Sequence, residues 1–152
     1  MAALMYKKLF LDDARSEGLS ESDLEIMKNS IIATMDFTTQ GMLLLKRKGD
    51  IITKIFVRQN KSAELLGLVG NCVSHESVNG RQFSMYLLEV LADCHLAPEQ
   101  ITSFKDSFMG LFGKSLVDRE ITVRVAALKA TISFLTSIDD TDVVMQYAGV
   151  LP

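Results

Sequence analysis

The sequence has no tryptophan and only two prolines in 152 residues. With so few helix-breaking residues, long stretches run uninterrupted, which favours helices over a turn-rich β fold. Two cysteines, Cys72 and Cys94, make no disulfide framework and fit a reducing compartment. No apolar run approaches the ~20 residues that a membrane-spanning helix needs, so no membrane association is expected. Basic charge is not in excess: the formal net charge is −3, which argues against a nucleic-acid binder. No P-loop, GxGxxG, HExxH or GxSxG occurs, and no pair of carboxylates stands out for acid–base work. The expectation is a protein that is not an enzyme and has no cofactor. The opening "MAALMYKKLF" is too short and too quickly charged for a signal peptide, and reads as the tail of a helix cut from a longer chain.

What the chain does have is apolar periodicity. Hydrophobic residues make up 48% of it, enough for one domain with a real core, and Leu, Ile, Val, Ala and eight Met supply most of them. Nearly everywhere they recur at helical spacing. Leu4, Leu9 and Phe10 predict a first short helix, broken at "RSEGLSES". There Gly18 suits a C-cap, Ser20 or Ser22 an N-cap, and Ser22 with Glu25 has capping-box spacing. Leu24, Met27, Ile31, Ile32 and Met35 form the next stripe, and Leu44, Ile51, Ile52 and Ile55 the one after "DFTTQG". Ser62 is placed to cap a helix carrying Leu65, Leu66, Leu68, Val69 and Val73. Phe83, Tyr86, Leu87, Val90 and Leu91 follow "SHESVNG". Pro98 opens a helix with Ile101, Phe104, Phe108, Leu111 and Phe112. The alanine-rich "VDREITVRVAALKATISFLTSIDD" is next, and Val143 to Leu151 are expected to begin another helix. About eight helices with short connections predict antiparallel neighbours and no strand.

The helices repeat. "QGMLLLKRKGDIITKIF", "SVNGRQFSMYLLEVLA" and "EITVRVAALKATISFL" align with Leu45, Arg81 and Arg124 in one column, 36 and 43 residues apart. That period fits two-helix repeats of the HEAT or armadillo kind. In the last unit Asp118 stands six residues before Arg124, followed by the small residues Ala126, Ala127 and Ala130. Such an Asp can bond the Arg of its own or a neighbouring repeat, so Asp118 and Arg124 are candidates for an inter-repeat ladder. The ladder is expected to be incomplete, because the aspartate position holds His75 in the middle unit and Thr39 in the first.

Together these stretches, with "LLGLVGNCVSHESVNGRQFSMYLLEVLADC", resemble the N-terminal HEAT repeats of the importin-β (karyopherin-β) superfamily, closest to the importin five or karyopherin beta-three branch, over about residues 4–152. The resemblance implies an all-α architecture: an α-solenoid of antiparallel helix pairs in a right-handed superhelical stack. Residues 1–152 would form a single fragment of three to four repeats from a longer solenoid. It further implies a nuclear transport receptor that binds Ran in its GTP form, cargo proteins with basic signals, and Phe-Gly nucleoporins. Such a receptor works in the cytoplasm, the nucleus and the nuclear pore. By the same resemblance the second helices line a concave binding face, which makes Lys46, Arg47, Lys48, Arg81, Glu89 and Lys129 candidates for partner contact. Outer helices would supply grooves for aromatic peptides, with Phe104, Phe108 and Phe112 as candidate lining.

Two other readings compete. One is a HEAT scaffold or regulatory subunit unrelated to transport. The other is a compact helical enzyme using Cys72, His75, Cys94 and His95, since Cys72-x-x-His75 has metal-ligand spacing. Adjacent Cys94 and His95 on a helix point about 100° apart and no tight knuckle accompanies either pair, so no metal is expected. Bare apolar faces at the ends of a cut solenoid would favour self-association.

Overall fold

In the computed structural model, residues 18–94 and 97–138 are described. They form six helices and no strand: α1 (Glu21–Ala33), α2 (Met42–Arg58), α3 (Ser62–Val73), α4 (Val78–Asp93), α5 (Pro98–Leu116) and α6 (Ile121–Thr136). The expected helix around Leu4 to Phe10 and the expected fragment Val143 to Leu151 lie outside the described residues, as do Asp139, Asp140 and His95. The helices pair as α1/α2, α3/α4 and α5/α6. The second helices pack side by side, α2 on α4 and α4 on α6, whereas α3 and α5 touch only sparingly. This is the all-α stack of helix pairs expected of a solenoid.

Local chemistry sets the helix ends, and it corrects two expectations. The first capping box uses Ser20 and Asp23, not Ser22 and Glu25. Ser20 Oγ accepts from Asp23 N at 3.1 Å, and Asp23 Oδ2 accepts from Ser20 N at 3.1 Å. Ser22 is already the second residue of the helix, past the capping position that Ser20 fills. Ser62 is likewise the first residue of α3 and is buried; the cap is Lys61. That cap follows from the previous helix. Asn60 has φ 54°, Asn60 N donates to Val57 O at 3.0 Å and Lys61 N donates to Phe56 O at 2.8 Å. This is a Schellman stop, and asparagine tolerates its left-handed residue. Pro98 opens α5 as the sequence suggests, with Gln100 Oε1 accepting from Ala97 N at 3.2 Å.

Close approach of the second helices depends on a missing side chain. A Cβ on Gly49 would stand 3.0 Å from Phe83 and 3.2 Å from Leu87 of α4. Between α5 and α6 the core is aromatic: Phe108 and Phe134 have ring centroids 4.4 Å apart, and Phe112 lies 5.7 Å from Phe134.

An ionic clip holds α1 to the α2–α3 corner. Glu25 Oε2 accepts from Lys28 Nζ at 2.8 Å and from Lys61 Nζ at 3.0 Å. Lys28 is buried, its ammonium 4.6 Å from the centre of the Phe56 ring. Hydrogen bonds from Lys28 and Lys61 hold the Glu25 carboxyl down to about 2, from an ordinary 4.5. A depressed carboxyl stabilises the fold above its unfolded value and loses that contribution as pH falls through the folded one. The melting temperature is therefore expected to fall between pH 4.5 and about 2. In Glu25→Gln this part of the fall disappears, and 1 M salt weakens it because the pair is half exposed. Thermal melts followed by circular dichroism measure both.

Candidate binding surfaces and the inter-repeat ladder

The turn between the helices of each pair is built to present a grip. Asp118 sits two residues before the start of α6 with its cap, and its Oδ1 accepts from Glu120 N at 2.9 Å. Across the seam, Arg81 Nε donates to Asp118 Oδ2 at 2.7 Å and Nη2 to Oδ1 at 3.3 Å. Both side chains are nearly buried, 9% and 13% exposed. Burial works against the Asp118 charge, but the hydrogen bonds from Arg81 and from Glu120 N keep its carboxyl below the usual range. Of the two partners the spacing allowed, the neighbouring repeat wins.

The remaining arm of each arginine ties down its own turn. Arg81 Nη1 donates to His75 O at 3.0 Å and Glu76 O at 2.8 Å. One repeat later, Arg124 Nη1 donates to Asp118 O at 2.7 Å and Arg119 O at 3.2 Å. The guanidinium fork thus has two jobs: one arm fixes the turn six residues back, and the other two nitrogens reach forward to the next repeat's carboxylate. Arg124 is therefore a turn anchor, and its forward side meets no acid among the described residues.

The first seam works differently. Leu45, in the arginine column, is buried in the core. No cation stands there, so position 75 needs no carboxylate. His75 Nδ1 instead accepts from Ser77 N at 3.0 Å, as Asp118 does for Glu120, and its ring meets Phe37 edge-on at 5.0 Å. At the turns, neutral hydrogen bonds join this seam: Ser77 Oγ donates to Phe37 O at 2.7 Å and Asn79 Nδ2 to Gln40 O at 3.3 Å.

Two residues expected on the binding face belong to this inner framework. Arg81 is the ladder arginine just described. Lys48 is buried, and its Nζ donates to Thr34 O at 2.6 Å, Thr34 Oγ1 at 3.1 Å and Gln40 Oε1 at 3.1 Å. It holds the first turn, where no arginine is present, and burial pushes its ammonium below the usual lysine range. The "KRK" run reads as one charged cluster only because sequence does not show that positions 46 and 48 face different ways.

Three other candidates do converge. Lys46, Glu89 and Lys129, from α2, α4 and α6, line one shallow cleft with Gln82 and Tyr86. Lys46 Nζ stands 4.8 Å from the centre of the Tyr86 ring, and Tyr86 Oη donates to Asp50 Oδ1. Burial and Asp50 both push the Tyr86 phenol up. Tyr86, expected in the apolar stripe, is only half buried and pairs with a carboxylate the sequence reading passed over. Arg47 is half exposed beside this cleft's helix and does not line it.

A larger groove of about 570 Å³ runs between the first helices α3 and α5, lined by Leu66, Gly67, Gly70, Phe104, Gly110 and Leu111 among others. Of the three phenylalanines expected there, only Phe104 takes part; Phe108 and Phe112 are buried against Phe134. Nothing lies within 4 Å of a Cβ built on Gly67, Gly70 or Gly110. These helical glycines are not required by packing inside the chain, although each costs helix stability.

Cys72 is buried, and that burial raises its thiol to about 11; Cys94 is half buried and raised for the same reason first. Among the described residues no group of three His, Cys, Asp or Glu is placed to hold a metal ion, and no helix is long and apolar enough to cross a membrane.

Against known families, a model described as IPO5-like, TPR repeats matches residues 51–152. No curated protein and no solved structure matches the chain.

Proposed function

Because the chain belongs to the IPO5-like family of TPR repeats, a transport-receptor-related repeat protein of the importin-β kind, we propose that it binds Ran in its GTP form, cargo proteins and Phe-Gly nucleoporins during nuclear import. It acts by binding and not by bond chemistry, in the cytoplasm, the nucleus and the pore. The observation that carries this reading is the family match over residues 51–152, which spans the α3/α4 and α5/α6 pairs, and with them the whole groove between α3 and α5 and all of the charged cleft except Lys46. The cleft of Lys46, Tyr86, Glu89 and Lys129 offers both charges on the row of second helices, suited to a charged protein partner. The glycine-floored groove between α3 and α5 suits an inserted aromatic ring.

Binding of the full chain to Ran loaded with a non-hydrolysable GTP analogue, compared with the GDP form, tests the proposal. Retention of the GTP form alone is expected, weakened by Lys129→Glu. Equal or absent retention of the two forms would overturn the transport reading and favour a scaffold.

The groove gives a second test with an unusual sign. Gly67→Ala and Gly110→Ala are each expected to stabilise the chain by about 0.5–1 kcal/mol, since the added methyl enters open space on a helix. The same changes are expected to weaken capture of a Phe-Gly repeat peptide. Urea unfolding and peptide fluorescence anisotropy measure the two effects.

A further inference from the structure

The groove between α3 and α5 differs from one side to the other. At about 100° per residue, the residues that α5 contributes to it cover an arc of about 160°. Phe104 and Leu111 stand at one edge of that arc and Asp106 at the other, with Ser107 and Gly110 between them. Exposure follows the same order. Phe104 and Leu111 are half buried, whereas Asp106, Ser107 and Gly110 are exposed. The Phe104 ring meets the core residue Phe108 edge-on, with centroids 6.2 Å apart, which anchors the apolar wall.

Asp106 is the only charged side chain among the described residues that line the groove. No hydrogen bond or ion pair engages its carboxylate among the described residues. The lysines nearest to it on α5, Lys105 and Lys114, do not line the groove, and Lys114 Nζ donates to Ser74 Oγ at 2.7 Å. A guest here therefore meets an apolar wall inside, glycines on the floor and one negative charge at the outer lip. A short segment that crosses the groove sets one side chain against Phe104 and brings the side chain beside it to the lip. An aromatic residue suits the first position and a cation the second, where a carboxylate would be repelled.

We propose that the groove chooses among Phe-Gly segments by charge: it takes those with a lysine or arginine beside the aromatic residue, and Asp106 makes the choice. This rests on the reading of the groove as a Phe-Gly site and adds to it a preference among such segments. Asp106 is exposed, so the attraction is screened by salt and the preference is a few-fold one.

Fluorescence anisotropy of three labelled peptides tests this on the full chain, with circular dichroism confirming that each variant is folded. Each peptide has one Phe-Gly, flanked by Lys, Gln or Glu. At low ionic strength affinity should fall in that order, about threefold at each step, and the order should collapse in 1 M salt. Asp106→Asn should level the three peptides, and Asp106→Lys should reverse them. Glu99→Gln removes the same charge from the first turn of α5, outside the groove, and should leave the order unchanged. Equal affinities in the native chain, or an order that survives Asp106→Asn or Asp106→Lys, would overturn the charge preference and leave the Phe-Gly reading standing. Binding of none of the three peptides would overturn both.

Discussion

Asp118→Ala is expected to destabilise the chain by about 3 kcal/mol, the loss typical when one member of a nearly buried ion pair is removed. The reason lies in what stays behind. Arg81 is only 7% exposed, and without Asp118 two of its nitrogens lose their carboxylate partner inside the seam. Replacing both residues by leucine should cost less than either single change, because no charge is then stranded. The pH dependence has a definite sign. The Asp118 carboxyl is held below its ordinary 3.8, so its contribution is present above that value and lost as pH falls through the folded one. Urea unfolding of the single and double variants at pH 7 and pH 3 measures all of this.

Phe134→Ala is expected to be larger still, about 4 kcal/mol. Phe134 is 2% exposed and packs against both Phe108 and Phe112. Those three rings are the body of the α5–α6 pair, and the hole left by the benzyl group has rigid walls on two sides. Hydrogen exchange should show the damage concentrated in α5 and α6. Amide protection in α2, at the far side of α4, should change far less, since each pair of a stacked array is held mainly by its immediate neighbours.

The helices and their pairing were legible because apolar spacing reports which face is buried, and three similar faces in a row report stacking. The ladder was half legible. Spacing placed Asp118 near an arginine but left open which one, since choosing Arg81 over Arg124 depends on how adjacent pairs lie in space. Lys48 was misplaced because charge in a sequence predicts exposure, and only the fold reveals three oxygens waiting for the ammonium. Ser62 and Ser22 show the limit of capping rules: the Schellman stop at Asn60 fixes where α3 begins before any serine can choose. The groove was signalled by Gly67, Gly70 and Gly110 in a helical pattern, but phenylalanines drew attention instead, and two of those are core.

The turns at the two seams are joined differently, by an ion pair at the second and by neutral bonds at the first, and that difference has a mechanical consequence. A bidentate ion pair resists both sliding and twisting, because displacement in either direction breaks its plane. The neutral bonds from Ser77 and Asn79 to single carbonyls tolerate rotation about their own axes. Among the described residues, a change of bend is therefore expected to rotate the turns at Phe37 and Ser77 before it parts Arg81 from Asp118.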